Sequence, residues 1–153
     1  MLKFEDEITQ LRGEFALKVF RRGKEIDSYA DHNLIVNVGR ERLAKLVTGE
    51  ESSTIDFIGL GSGGEDEKAT DTALTEQLLL PLTGKTTEGM DARFDFTIGE
   101  YQANGLKIRE FGLFFTDETM FSHRVRRKKS DGSASVIEKQ DDITIQGYWI
   151  IHF

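Results

Sequence analysis

The stretch Leu106-Lys107-Ile108-Arg109-Glu110-Phe111-Gly112-Leu113-Phe114-Phe115, then Thr116-Asp117-Glu118-Thr119, then Met120-Phe121-Ser122-His123-Arg124-Val125-Arg126-Arg127, decides the fold. Two segments of strand length, Leu106 to Phe115 and Met120 to Arg127, flank four polar residues suited to a tight turn. That pattern predicts a β-hairpin. Gly112, between Phe111 and Leu113, marks a bulge or a close backbone approach within the first strand.

Strand signals continue on both sides. Downstream, Ser133 to Glu138 and Ile143 to Phe153 read as strands. The last of these, Ile143-Thr144-Ile145-Gln146-Gly147-Tyr148-Trp149-Ile150-Ile151-His152-Phe153, is too apolar for a free tail and reads as a central strand. Upstream, Arg93 to Ile98 alternates with Phe94, Phe96 and Ile98 on one face. Glu14 to Phe20 alternates with Phe15, Leu17 and Val19, Arg22-Gly23-Lys24 reads as a turn, and Ile26 to Tyr29 returns. Thr54 to Leu60 reads as a buried strand.

Two short helices are expected in the first half. One spans about Gly39 to Val47, with Leu43, Leu46 and Val47 on one stripe, Arg40, Glu41, Arg42 and Lys45 outward, and Gly49 as its stop. The other starts at Thr70-Asp71-Thr72 and runs to about Leu79, where Pro81 ends it. The expected fold is mainly β: an antiparallel β-sandwich or open barrel with two short helices inserted in its first half. Residues 1–153 read as a single β domain, with an N-terminal hairpin in 1–32 and the core in 33–153.

Composition agrees with one domain that folds on its own core. The chain has 153 residues, is 38% hydrophobic and contains 11 Phe. It has no cysteine, which excludes disulfides, thiolate metal sites and cysteine catalysis, and suits folding in a reducing cytoplasm. The net charge of −7 argues against a nucleic-acid partner for the molecule as a whole. No run of about 18 apolar residues is present, so no helical membrane insertion is expected. Met1-Leu2-Lys3-Phe4-Glu5-Asp6-Glu7 places acids where a signal peptide has its apolar stretch, so export by lysis or within a particle is the expected route out of the cell of origin.

Motifs for chemistry are sparse. Gly59-Leu60-Gly61-Ser62-Gly63-Gly64 fits G-x-G-x-x-G and follows a strand. Glu65, Asp66 and Glu67 follow at once and would repel a phosphate, and no βαβ alternation surrounds it, so it reads as a turn. The acids Glu65, Asp66, Glu67 and Asp71 lack calcium-loop spacing and read as a solvated loop. His32, His123 and His152 lie on separate elements without zinc spacing, His32 in a turn and His152 packed or at an edge. G-x-S-x-G is absent, and Ser62 lacks the elbow pattern. No cofactor is expected. The run Arg124, Arg126, Arg127, Lys128 and Lys129 is the one charged feature that suits contact with an acidic partner surface. It lacks the interleaved aromatics of a single-strand nucleic-acid platform.

Several segments, in order, resemble small tail proteins of bacteriophages and prophages, of the tail collar and fibre kind. Asn33-Leu34-Ile35-Val36-Asn37-Val38-Gly39-Arg40-Glu41-Arg42-Leu43-Ala44 resembles their N-x-I-V-N-x-G-x-x-x-L-A start. Ile58-Gly59-Leu60-Gly61-Ser62-Gly63 is similar to their I-x-x-G-x-G strand end, and Ala69-Thr70-Asp71-Thr72-Ala73-Leu74 to their A-T-D-T-A-L helix start. Ile108-Arg109-Glu110-Phe111-Gly112-Leu113-Phe114 resembles their I-x-E-x-G-L-F before a hairpin, and Ile143 to Trp149 their final strand.

The likeness covers residues 33 to 153 and implies a non-enzymatic virion component made in the bacterial host cytoplasm. Such a component sits in a baseplate, collar or fibre attachment, assembles in several copies and binds neighbouring tail proteins. Arg124, Arg126, Arg127 and Lys128 are the partner-contact candidates. Two other classes stand beside this reading. One is a receptor- or carbohydrate-binding module of a virion, presenting Tyr29, Tyr101 or Tyr148 to a host surface. The other is a small carboxylate-dependent hydrolase using Glu110, an acid that reads more simply as the partner of a basic residue.

Overall fold

A computed structural model describes residues 11–153, so the Met1 to Glu7 stretch and the start of the 1–32 hairpin lie outside the described residues. The strands, in chain order, are β1 Arg12–Arg21, β2 Lys24–Ile35, β3 Ile55–Gly61, β4 Leu78–Pro81, β5 Gly84–Glu88, β6 Asp91–Ile98, β7 Lys107–Ile108, β8 Glu110–Phe115, β9 Met120–Val125, β10 Ile137–Glu138 and β11 Ile143–His152. The helix α1 is Asn37–Thr48. The protein is mainly β. A curled nine-stranded antiparallel sheet, ordered β4-β3-β8-β9-β2-β1-β11-β6-β5, forms a half-barrel, and β7 and β10 pair separately.

The two edge strands are consecutive in the chain. Segment 78–88 pairs first with β3 and then with β6. Between them Leu82 N–H donates to Asp56 O at 3.0 Å and Thr83 N–H to Asp95 O at 2.8 Å. The opposite edges of the sheet therefore meet at one corner, and the curl follows from that tether. On the other side β2 joins the halves, pairing with β1 along its length and with β9 only through Leu34 and Ile35.

Alternation places the core. Phe15, Leu17 and Val19 of β1, Phe96 and Ile98 of β6, and Ile145, Trp149 and Ile151 of β11 point inward with Ile58, Leu60, Phe111, Leu113, Phe115 and Phe121 from the other half. Phe15 is the hub, with ring centroids 4.6 Å from Trp149, 5.0 Å from Phe111 and 6.0 Å from Phe96. Such aromatic pairs add about 0.5–1.5 kcal/mol each beyond their burial. A second cluster on the far side of β3-β8-β9 holds Val36, Leu74, Phe114 and Met120.

The β1–β2 turn matches its sequence signal: Arg22 and Gly23 both have positive φ, at 50° and 79°, as a two-residue hairpin turn of that hand requires. Helix α1 ends in left-handed Gly49, whose N–H donates to Leu46 O. Gly39 lets α1 lie on β9, since a methyl there would stand 2.5 Å from Phe121 O.

Several expectations change. The described residues hold one helix, not two. Segment 70–79, expected as a helix, is a turn-rich strap that leads into β4. Its Thr75 N–H donates to Glu110 Oε2 at 3.0 Å instead of to a helical carbonyl, and Glu76 takes φ 50°, which breaks helical repetition. On α1 the stripe is rotated. Val47 is 88% exposed, while Arg42 turns inward, its guanidinium 5.3 Å from the Phe115 ring centroid and 2.6 Å from Asp117. That ion pair holds the Asp117 carboxyl far below the usual carboxylate range and pins the β8–β9 turn. His32 lies within β2 rather than in a turn. Ser133–Glu138 gives only the short β10 and one bridge, Arg127 to Ala134.

Candidate functional site

Strands β8 and β9 carry their inner side chains into the core and turn Glu110 and His123 to the opposite face, where segment 61–77 crosses them. His123 is 4% exposed. Its Nδ1 lies 2.8 Å from Asp71 Oδ2 and its Nε2 lies 2.8 Å from Glu110 Oε1. The second oxygen of Glu110 accepts the N–H groups of Gly63 at 2.6 Å and Thr75 at 3.0 Å. Burial disfavours the imidazolium, but hydrogen bonds and charge from Glu110 and Asp71 outweigh it and raise the His123 pKa. As an imidazolium His123 donates to both acids. The arrangement is a clamp that holds segment 61–77 on the sheet.

This clamp gives the glycine run its physical reason. Gly61 lies opposite Glu110 in the β3–β8 register, and a methyl there would stand 2.7 Å from the carboxylate. A side chain on Gly63 would strike the same carboxylate, and one on Gly59 would strike Phe114. Gly112 also serves a close approach, its methyl position lying 3.0 Å from Ser122 O. Among the described residues no three His, Cys, Asp or Glu side chains converge as a metal site. Asp71 and Glu110 sit on opposite edges of the imidazole, so they do not face one ion. Both ring nitrogens are engaged by carboxylates, leaving neither free to take a proton from a bound molecule.

The basic run is divided between several acids. Arg124 reaches Asp31 at 3.2 Å and Glu67 at 3.4 Å, and donates to His32 O at 2.7 Å. Arg126, 5% exposed, pairs with Asp27 and donates to Ser135 Oγ at 2.9 Å. Arg127 meets Asp66 at 2.9 Å and Glu67 at 3.1 Å. Lys128 and Lys129 are exposed. Of the acids expected to be solvated, Glu67 is instead tucked in, its side chain 12% exposed. Burial alone would raise its pKa, but the Val125 amide, Arg124 and Arg127 bring it below the usual range. The run thus ties β9 to β2 and to segment 61–77, and among the described residues Lys128 and Lys129 are its members outside any ion pair.

The aromatic candidates separate cleanly. Tyr29 is buried, with its hydroxyl donating to Asp31 at 2.9 Å. Tyr101 is 87% exposed in a turn. Tyr148 stands on the outer face of the sheet beneath Arg93, whose guanidinium carbon lies 4.2 Å from its ring centroid. Sequence reasoning missed an apolar groove of about 380 Å³ at the gap between the two halves, where Leu43, Leu46, Ile55, Ala92, Phe94 and Phe115 meet beside β5. Its parts lie on four elements, and only their expected amphipathic stripes hinted at it.

The clamp makes stability depend on pH with a definite sign. The folded His123 pKa lies above the ordinary imidazole value of 6.5, so its contribution is complete below about pH 6.5 and is lost as pH rises through the folded value. His123→Gln is therefore expected to lower the urea midpoint more at pH 6 than at pH 9. Equal losses at both pH values would contradict the clamp.

Compared with protein-family models, curated proteins and solved structures, the chain matches none.

Proposed function

We propose that this chain is a non-enzymatic structural component of a phage-type tail, in a baseplate, collar or fibre attachment, acting by self-assembly and by binding neighbouring tail proteins. The ordered resemblance over residues 33 to 153 supports the reading. The observation that carries it is the gap in the half-barrel. Among the described residues edge strand β5 has a strand partner on one side of its backbone only, and the apolar groove runs beside it. Met90, in the turn that follows β5, is 75% exposed. Phe153, 60% exposed, donates its N–H to Met90 O at 3.0 Å. An open strand edge with apolar side chains at its flank is a surface a neighbouring strand or loop would cover.

Co-purification with the tail proteins encoded beside it tests the reading. A stable complex is expected, and Thr87→Glu, on β5 at the groove, is expected to weaken it about tenfold or more while leaving the unfolding midpoint nearly unchanged, because that side chain is exposed. Failure to bind any neighbouring tail protein, or binding unaffected by charge at the groove, would contradict it.

A further inference from the structure

The outer face of the sheet carries a second feature, independent of the tail reading. One row across β2, β1, β11 and β6 reads Ala30, Ala16, Tyr148 and Asp95 in register. Two neighbouring alanines leave the surface low, and Tyr148 rises beside them. The result is a cavity of about 490 Å³ reaching Lys18, Gln146 and Arg93. A second depression of about 320 Å³ shares Ala16, Ala30 and Tyr148 and continues to Glu14 and His32. From Lys18 to Glu14 is four residues of strand, so the joined trough is about 13 Å long. It is long enough for a chain-like ligand rather than a single small ion.

Most charges of the rim are paired, while Lys129, exposed and in no ion pair among the described residues, adds one positive charge. Lys18 pairs with Glu25 at 3.4 Å, Arg93 with Asp95 at 3.0 Å, and Glu14 with His152 at 3.3 Å. A single exposed lysine sets up a weak, salt-screened field, too little to hold a phosphate or an acidic peptide by charge alone. It does offer acceptors at Glu14 and Asp95 and donors at Lys18 and Gln146, spaced around an aromatic ring. Arg93 braces that ring from one side, so little ordering is left to complete on binding. A ligand with many hydroxyls, C–H faces for the ring and no charge meets all of these features.

We propose that this trough binds a neutral oligosaccharide, with Tyr148 as its stacking platform and Ala16 and Ala30 as its floor. The test uses an array of neutral glucan, galactan and N-acetylglucosamine oligosaccharides, with the strongest hit titrated by calorimetry against the intact protein. At least one neutral glycan is expected to bind. Tyr148→Ala is expected to weaken that binding about tenfold or more. Ala30→Arg, at an exposed position that fills the floor without touching the core, is expected to do the same at an unchanged unfolding midpoint. If Tyr148→Ala fails to fold, Ala30→Arg decides alone. No binding to any neutral glycan, binding confined to anionic glycans and lost with salt, or affinity unchanged in Ala30→Arg would each overturn the proposal. None of these outcomes bears on co-purification with tail proteins.

Discussion

Removing residues 143–153 is expected to leave a chain without a cooperative fold. Strand β11 pairs with β1 along its whole length and with β6 from Ile145 to His152, so its loss opens two interior ladders at once. It also strips Ile143, Ile145, Trp149 and Ile151 from the core, each 3% exposed or less. Losing one large buried aromatic costs about 3–5 kcal/mol, and a whole domain is stable by only about 5–15 kcal/mol. The truncated chain should give narrow amide proton dispersion and no sigmoidal unfolding. Trp149→Ala alone, which also removes the 4.6 Å contact with Phe15, should lower stability by about 3–5 kcal/mol. A sharp unfolding transition in the truncated chain would contradict this architecture.

Replacing Glu110 by alanine is expected to cost about 3–5 kcal/mol and to loosen one segment before the rest. Glu110 is 3% exposed and serves His123 and two backbone amides together. Its removal leaves the Gly63 and Thr75 amides without their acceptor, at about 1–3 kcal/mol each, and leaves a buried imidazole with Asp71 alone. Glu110→Gln keeps an acceptor for the amides and should lose less. Hydrogen exchange should quicken across 61–77 in Glu110→Ala, while β1, β11 and β6 stay protected. A loss below about 1 kcal/mol, or exchange that rises evenly over the whole sheet, would show that Glu110 is not the pin described here.

Much of this fold was legible because period two is a local property. The alternation of Phe15, Leu17 and Val19 sets an inner face without reference to anything else, and Phe94, Phe96 and Ile98 repeat it. The apolar-rich segment of β11 read correctly as an interior strand. The site was less legible because it is assembled over long separations. The tight spacing at Gly61 and Gly63 is explained by Glu110, which follows in a different strand. Arg124, Arg126 and Arg127 read as a patch because Asp27, Asp31 and Glu67 meet them only after folding. The second helix failed for the same reason: local caps at Thr70 and Asp71 suggested a helix, but the Glu110 carboxylate, from a distant strand, captured the Thr75 amide. The trough at Tyr148 exists only once register sets Ala16 and Ala30 side by side.

Assembly through the open edge would show in the mass of the protein in solution. Light scattering across a wide concentration range should give a closed oligomer, a whole multiple of 17.3 kDa, that Thr87→Glu at the β5 edge breaks down. A mass of 17.3 kDa at every concentration would contradict self-assembly through the open edge.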